Sequence, residues 1–484
     1  MKINSIPTIK TINKEGGGAY DLPLKERFVS QLMTSLYREP KFYGDNTDDL
    51  IRDAKELIGK EPAFVAKAAI YARNVMQLRT IPTVMCGLLA LDAKGRPLVR
   101  RTINMVCTRP DQLTELVAFL EQGNTFSLAK KIKQVRLALA DVLGTFDEHR
   151  LAKYNRAGKV KLRDILLISH AKPIDAEQAA LWKRLLDDKL EVPITWETQV
   201  SGKGNTAEVW DALIAEKKLP YMAALRNLRN IIESGATKLD DILAMIANPE
   251  AVKRSRQLPF RFYTAYRELS GIPTARPALK AISDALTYSI ANLPEIGGLT
   301  MIAADNSGSM QSPLSSMGKA NYIDVANLMS ALMARLSKNA ITSVFGEQFA
   351  IVTDDGISSP IAIAERFAST QVGSSTNGWL VPDWLMKQGL KVDRVIFFTD
   401  CQLWNSRQGY NRPADLQKFW SAYKKIAPDA WLHIVDLNGS GTTPAVLQGK
   451  VNLIAGWSEN VLSFIKTVEE GTGSPIDAIE GVEL

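Results

Sequence analysis

The stretch Leu299-Thr-Met-Ile-Ala-Ala-Asp305-Asn-Ser307-Gly-Ser309-Met310 decides how the chain folds. A mostly apolar run, too short for a helix, meets an Asp and then a Ser-Gly-Ser turn. Such a run bounded by turn residues predicts a buried strand of the kind found in parallel sheets. The loop that follows carries a carboxylate and two hydroxyls at alternate positions. In a doubly wound sheet, the loops at the carboxyl ends of the strands are where ligands sit. Oxygen-only donors suit a hard cation such as Mg²⁺, which keeps some of its waters. A Ser-rich turn with no metal fits the same residues.

A second strand, Val395-Ile-Phe-Phe-Thr399-Asp400, again ends in Asp, and the polar loop Gly373-Ser-Ser-Thr376-Asn377-Gly378 lies between the two. These loops in one α/β pattern resemble the metal-ion-dependent adhesion site (MIDAS) of von Willebrand factor A domains. The resemblance implies a divalent cation, Mg²⁺, held by Asp305, Ser307, Ser309, Thr376 and Asp400. Thr370 is an alternative to Thr376, and a vestigial site without metal is an alternative to the whole.

The 484 residues, 46% hydrophobic and 23% charged, describe ordinary globular protein of two to four domains. No apolar run approaches the roughly 20 residues that cross a bilayer, and Met1-Lys-Ile-Asn-Ser-Ile-Pro lacks the apolar core of a secretory signal. Cys86, Cys107 and Cys401 show no paired spacing, which suits free thiols in the cytoplasm. Three histidines at no ligand spacing leave no zinc site. Neither a Gly-x-Ser-x-Gly elbow nor a Gly-x-x-x-x-Gly-Lys-Ser/Thr loop occurs. An enzyme is therefore not expected.

The net charge of +7 is unevenly placed. Residues 1–297 carry 45 Lys plus Arg against 34 Asp plus Glu, a net of +11; residues 298–484 carry 14 against 18, a net of −4. The first part is thus suited to a polyanion. Residues 1–22, with Gly16-Gly-Gly18, read as a mobile or extended arm. From Leu24 the pattern is helical, with apolar stripes such as Leu50, Ile51, Ala54, Leu57 and Ile58, or Leu239, Ile242, Leu243 and Ile246. Prolines fall between the stripes, and no alternating strand is evident before residue 298. A run of amphipathic helices this long predicts stacked hairpins that bury their faces on one another.

Two segments of this helical part carry candidate chemistry. Residues 130–172 hold eleven basic residues, among them Lys130, Lys131, Lys133, Arg136, Lys161 and Lys172, against four acids. Cations on helix ends and an intervening loop can follow a phosphate backbone; a solvated helix face is the equal alternative. The second segment, Lys253-Arg254-Ser-Arg256-Gln-Leu-Pro-Phe260-Arg261-Phe262-Tyr263-Thr-Ala-Tyr266-Arg267, interleaves cations with aromatics. Such groups stack on unpaired bases. Arg254 and Arg256 are expected on RNA, and at least two of Phe260, Phe262 and Tyr263 in the core. Arg226 and Arg229 share a helix face and could line RNA or bridge to acids.

Tyr71-Ala-Arg73-Asn with Leu78-Arg-Thr-Ile-Pro82, Asp164-Ile-Leu-Leu-Ile-Ser-His170-Ala-Lys172-Pro173 and Tyr221-Met-Ala-Ala-Leu-Arg226-Asn-Leu-Arg229-Asn230 resemble the TROVE module of Ro autoantigen proteins, as does Gln257-Leu-Pro-Phe-Arg-Phe-Tyr-Thr-Ala-Tyr-Arg. Their order, ahead of a von Willebrand A domain, extends the resemblance over residues 24–470. It implies an all-α ring of HEAT-like repeats at 23–295 that binds RNA, a doubly wound α/β domain at 296–470, and a tail at 471–484. It further implies a monomeric ribonucleoprotein without catalysis of its own. Its basic outer face would take small structured noncoding RNA of the Y type, with His170 in that site. Its ring would take single-stranded 3′ ends of misfolded RNA, with an exoribonuclease as protein partner and neither membrane nor DNA. Two other readings compete. One is a metal-dependent protein-interaction scaffold with an incidental basic face. The other is a nuclease using Asp305 and Asp400, for which two carboxylates are few.

Overall fold

The computed structural model describes residues 10–35, 47–121, 127–155, 158–191, 194–257, 259–291, 293, 295–314, 320–354, 358–407, 415–456, 459–471 and 475–484. Arg156, one of the basic residues of the first segment, lies outside them. Two compact units divide the chain: residues 24–193 with 475–484, and residues 1–23 with 194–474. The helical part expected at 23–295 is therefore shared between units, and its second half belongs with the sheet.

The first unit is entirely helical over its described residues. Leu24–Thr34, Thr47–Lys60, Pro62–Asn74, Thr80–Leu91 and Arg96–Val106 pack each on the next, and Pro110–Leu120 packs on Thr80–Leu91. Ser127–Lys131, Lys133–Leu143, Glu148–Tyr154, Leu162–Ser169 and Ala176–Leu186 continue the series. The helix Leu162–Ser169 shows why they form. Leu162, Ile165, Leu166 and Ser169 recur at helical spacing and are buried, and Asp164 closes the first turn by accepting the Lys161 amide at 2.8 Å. Residues after 471, expected as a tail, include the helix Pro475–Glu480. It packs on Pro62–Asn74 and Leu24–Thr34, with Glu480 bound by Lys25 at 3.0 Å.

The second unit holds the helices from Trp196–Lys203 to Arg276–Ser289 and the strands. The central strand β3 (Ile296–Asp305) is flanked by β4 (Ser337–Phe345) and β6 (Arg394–Thr399). Outward lie β5 (Phe349–Ile351) on one side, and β7 (Trp431–Asp436) and β9 (Val451–Ala455) on the other. All neighbours are parallel except β4 and β5. Three strands therefore build outward from β3 in one direction and three from β6 in the other. That is a doubly wound order with its switch point between β3 and β6. Parallel pairing buries both faces, which is why residues 301–305 and all of β6 are buried without alternation. Near the start of β3, Gly298 takes φ +81° and a Cβ there would lie 2.5 Å from the Asp393 carboxylate, so glycine is required.

Residues 10–21 are not an extended arm. β1 (Lys10–Ile12) and β2 (Gly18–Asp21) form an antiparallel hairpin, and β2 pairs with β8 (Thr442–Thr443). Two strands thus precede residue 298 that hydrophobic alternation did not reveal. They are three and four residues long, and β8 comes more than 400 positions later. Phe260, Phe262 and Tyr263 are all buried, at 5, 0 and 5% exposure, so all three aromatics are core. No helix among the described residues is long and apolar enough to cross a membrane.

Candidate functional sites

At the switch point, β3 ends in Asp305 and β6 in Thr399, with Asp400 next, as the apolar runs require. Register places Ala304 opposite Phe398, so both carboxyl ends open into one crevice. Asp305 is fully buried. It accepts the Ser307 amide at 3.0 Å and the Thr399 hydroxyl at 2.6 Å. Ser307 Oγ lies 3.3 Å from Ser309 Oγ. Asp400 is also buried and accepts the Gln402 amide at 3.0 Å. Burial pushes both carboxyls above the usual range, and the Asp305 charge raises Asp400 further.

The Gly373–Gly378 loop joins this pair through two backbone carbonyls and one side chain. Ser374 O accepts the Gly308 amide at 2.8 Å, Thr376 O accepts the Trp404 amide at 3.2 Å, and Asn377 Oδ1 accepts the Ser406 amide at 3.0 Å. One loop is thus pinned to both Asp loops. Behind it, a Cβ on Gly346 would stand 2.6 Å from Gly373 O, so the close approach of this turn needs glycine. Thr376 is buried within the loop, whereas the Thr370 hydroxyl donates to Arg366 O at 2.8 Å and finishes the helix Pro360–Ser369. Beside Ser307 opens a cleft of about 160 Å³ bounded by Asn306, Gly308, Thr370 and Ser374. The buried Asn306 Oδ1 there has no partner among the described residues.

The donor set of this crevice fits a small hard cation. Two buried carboxylates, one of which raises the pKa of the other, suit a counter-charge, and the Ser hydroxyls supply neutral oxygens. Among the described residues no group of three or more His, Cys, Asp and Glu stands at metal-holding distance, so hydroxyls would have to complete the shell. Cys401 sits in this turn at φ +63° with its thiol fully buried and its pKa pushed far up, which makes it unreactive. Sequence reading missed two supports. Thr399 orients Asp305, and the hairpin turn before β2 braces the loop after Asp400, with Asn13 Nδ2 donating to Leu403 O at 2.7 Å and the Lys14 amide to Gln402 Oε1 at 2.8 Å.

The basic residues of the other unit lie on neighbouring helices. Lys130 and Lys131 end Ser127–Lys131, Lys133 and Arg136 open Lys133–Leu143, and both helices pack on Leu162–Ser169. Lys161 precedes that last helix, and His170 and Lys172 follow it. Lys130, Lys131, Lys133, His170 and Lys172 are exposed, while Arg136 and Lys161 are half-buried. None of the seven forms an ion pair among the described residues, whereas neighbouring cations do. Arg100 meets Asp141 at 2.7 Å, Arg184 meets Glu148 at 2.6 Å, and Arg163 reaches Asp164 at 4.0 Å.

Arg254 and Arg256 belong to the unit with the sheet. Arg254 lies in the last turn of Pro249–Ser255, and Arg256 follows it at φ +49°; both are exposed. His170 takes φ +52° at the equivalent place after Leu162–Ser169. Glycine is the usual occupant of such a helix end, and another residue there costs on the order of 1 kcal/mol. Arg229 bridges to acids, Glu233 at 2.7 Å and Glu268 at 3.9 Å, while Arg226 is exposed.

Comparison with known proteins agrees with this architecture. Residues 43–187 and 169–275 match the TROVE domain family. Telomerase protein component 1 of Rattus norvegicus is 27% identical over 43% of this chain, and that of Mus musculus is 28% identical over the same share. The chain spans 11% of the length of each of these relatives. The crystal structure of a Ro protein of Deinococcus radiodurans superposes with a TM-score of 0.64 over 93% of this chain and all of that one, at 19% identity. The fold is therefore that of helical repeats joined to a von Willebrand A-like domain.

Proposed function

We propose that the chain is an RNA-binding protein of the Ro type whose helical part holds small structured noncoding RNA, a reading supported by the match of residues 43–187 and 169–275 to the TROVE domain family. The observation that carries this reading is the set Lys130, Lys131, Lys133, Arg136, Lys161 and Lys172 with His170. These cations gather on three packed helices without carboxylate partners among the described residues, while Arg100 and Arg184 close by are each paired with an acid. An uncompensated basic face releases counter-ions when it meets phosphates, so affinity falls steeply with salt. His170 adds a ring that can donate to a phosphate or stack on an unpaired base. Arg254 and Arg256 supply further exposed guanidinium groups for single-stranded RNA, including the 3′ ends of misfolded RNA. The chain performs no chemistry on the RNA; an exoribonuclease partner in the cytoplasm would supply the turnover step.

The crevice between Asp305 and Asp400 supports a second role, a Mg²⁺-dependent contact with a protein partner. Asp305, Ser307, Ser309, Thr376 and Asp400 would hold the ion, and the ion would supply an open coordination position for a partner's oxygen. The two roles separate experimentally. Gel shifts with a hairpin RNA test the first: wild-type protein binds and the Lys130, Lys131, Lys133 and Lys172 to Gln variant does not. Equal binding by both would refute the assignment of the face. Chelation of Mg²⁺ leaves this binding intact if the metal loops serve a protein partner.

A further inference from the structure

The motif Tyr71-Ala-Arg73-Asn with Leu78-Arg79-Thr plays no part in the basic face described above, yet its two arginines meet a third at one place. Arg73, at the end of Pro62–Asn74, donates to Val106 O at 3.2 Å, Leu78 O at 3.4 Å and Thr108 Oγ1 at 2.6 Å, all neutral acceptors. Arg79, just before Thr80–Leu91, meets Asp111 Oδ2 at 2.7 Å and Glu115 at 3.0 Å. Arg109, just before Pro110–Leu120, meets the same Asp111 oxygen at 2.7 Å. Its guanidinium lies 4.6 Å from the centroid of the Tyr154 ring, and Lys153 Nζ lies 5.9 Å from it.

Among the described residues, three guanidinium groups here face two carboxylates, and Asp111 is shared. A cluster that merely tied helix ends together would balance its charges. This one keeps a surplus at the surface, with the Arg79 and Arg109 side chains 41 and 32% exposed. Burial and the nearby charges of Arg109 and Arg79 lower the Arg73 pKa, the mark of crowded cations that a further anion would relieve. Two helices also begin at Arg79 and Arg109, and their N-terminal dipoles add to the positive potential. A planar fork of donors suits phosphate oxygens, and a tyrosine ring beside them suits a base.

We propose that Arg73, Arg79 and Arg109 with Tyr154 form a binding site for a phosphate and its base in single-stranded RNA, separate in its residues from the lysine face. The inference rests on the RNA-binding reading and adds a second contact to it. Its test uses full-length protein, a fluorescein-labelled 12-nucleotide oligouridine and a closed hairpin RNA without single-stranded ends, with anisotropy read across a KCl series.

Arg109→Gln, which leaves Asp111 paired with Arg79, is expected to weaken oligouridine binding about tenfold. It should also reduce the salt slope by about 0.7, the share of one cation on a single strand. Tyr154→Leu is expected to weaken the same binding about tenfold with the slope unchanged. Both variants keep wild-type affinity for the hairpin. Should Arg109→Gln melt early, Tyr154→Leu decides alone. If both variants bind oligouridine as wild type does, while the lysine variant loses the hairpin, the cluster is structural and the proposal falls with the lysine face intact. If wild-type protein binds neither RNA, both readings fall.

Discussion

Asp400→Asn tests the metal crevice by stability rather than by activity. Asp305 is 0% and Asp400 2% exposed. Asp305 is offset by the amide and hydroxyl of Ser307 and the Thr399 hydroxyl, and Asp400 by the Gln402 amide and the Ser309 hydroxyl. Each such bond to a charge contributes about 1.5–3 kcal/mol, which leaves roughly one buried ion without compensation, a penalty on the order of 3 kcal/mol. Both carboxyls have pKa values above their unfolded value of 3.8. The folded chain therefore binds these protons more tightly than the unfolded chain. Metal-free stability is full below the unfolded value and falls as pH rises from there through the raised values.

At pH 8 with EDTA, the asparagine keeps the shape and an acceptor for Gln402 but removes one charge. The variant should then melt about 6 °C above wild type, taking about 2 °C per kcal/mol for a unit of this size. Excess Mg²⁺ should raise the wild-type melting temperature and leave the variant unmoved, by mass action on a site that one carboxylate cannot fill. Differential scanning fluorimetry reads both. A variant that melts below wild type in EDTA, or gains as much from Mg²⁺, would refute the reasoning.

Other outcomes follow from the same geometry. His170→Gly should stabilise the protein by about 1 kcal/mol, because it relieves the left-handed conformation at that helix end, while weakening binding of structured RNA in a gel shift. A loss of stability would mean that His170 is a packing residue. Arg394 is buried and paired with Glu469 at 2.7 and 2.8 Å, and Glu469 also meets the buried His433 at 2.9 Å. Glu469→Ala strands that guanidinium and should cost about 3–5 kcal/mol in urea denaturation; a cost under about 1 kcal/mol would contradict the pairing.

The parallel sheet was legible because its strands are short apolar runs that end in Asp at β3 and β6, and the doubly wound order then puts Asp305 and Asp400 in one crevice. The hairpin of β1 and β2 was not, since its strands lack an alternating pattern and its partner β8 is remote in sequence. The same remoteness hid why Trp196–Ser289 sits in the unit of the sheet. Arg267 of the aromatic-rich helix pairs with Asp324, 57 positions later. The basic residues were legible as charge, but their lack of partners was not. Pairing depends on Asp141 and Glu148, which lie 41 and 36 positions from the arginines they neutralise. The Arg73, Arg79 and Arg109 cluster escaped notice for that reason too, because its members approach only when three helix ends meet.

Crosslinking of the protein to RNA in its native cell, with sequencing of what is bound, tests the central claim most directly. The account predicts recovery of an abundant structured RNA, lost when Lys130, Lys131, Lys133 and His170 are changed together in a chain that still folds. Recovery of no RNA above background would contradict it and leave the Asp305 and Asp400 crevice, as a contact for a protein partner, to explain the molecule.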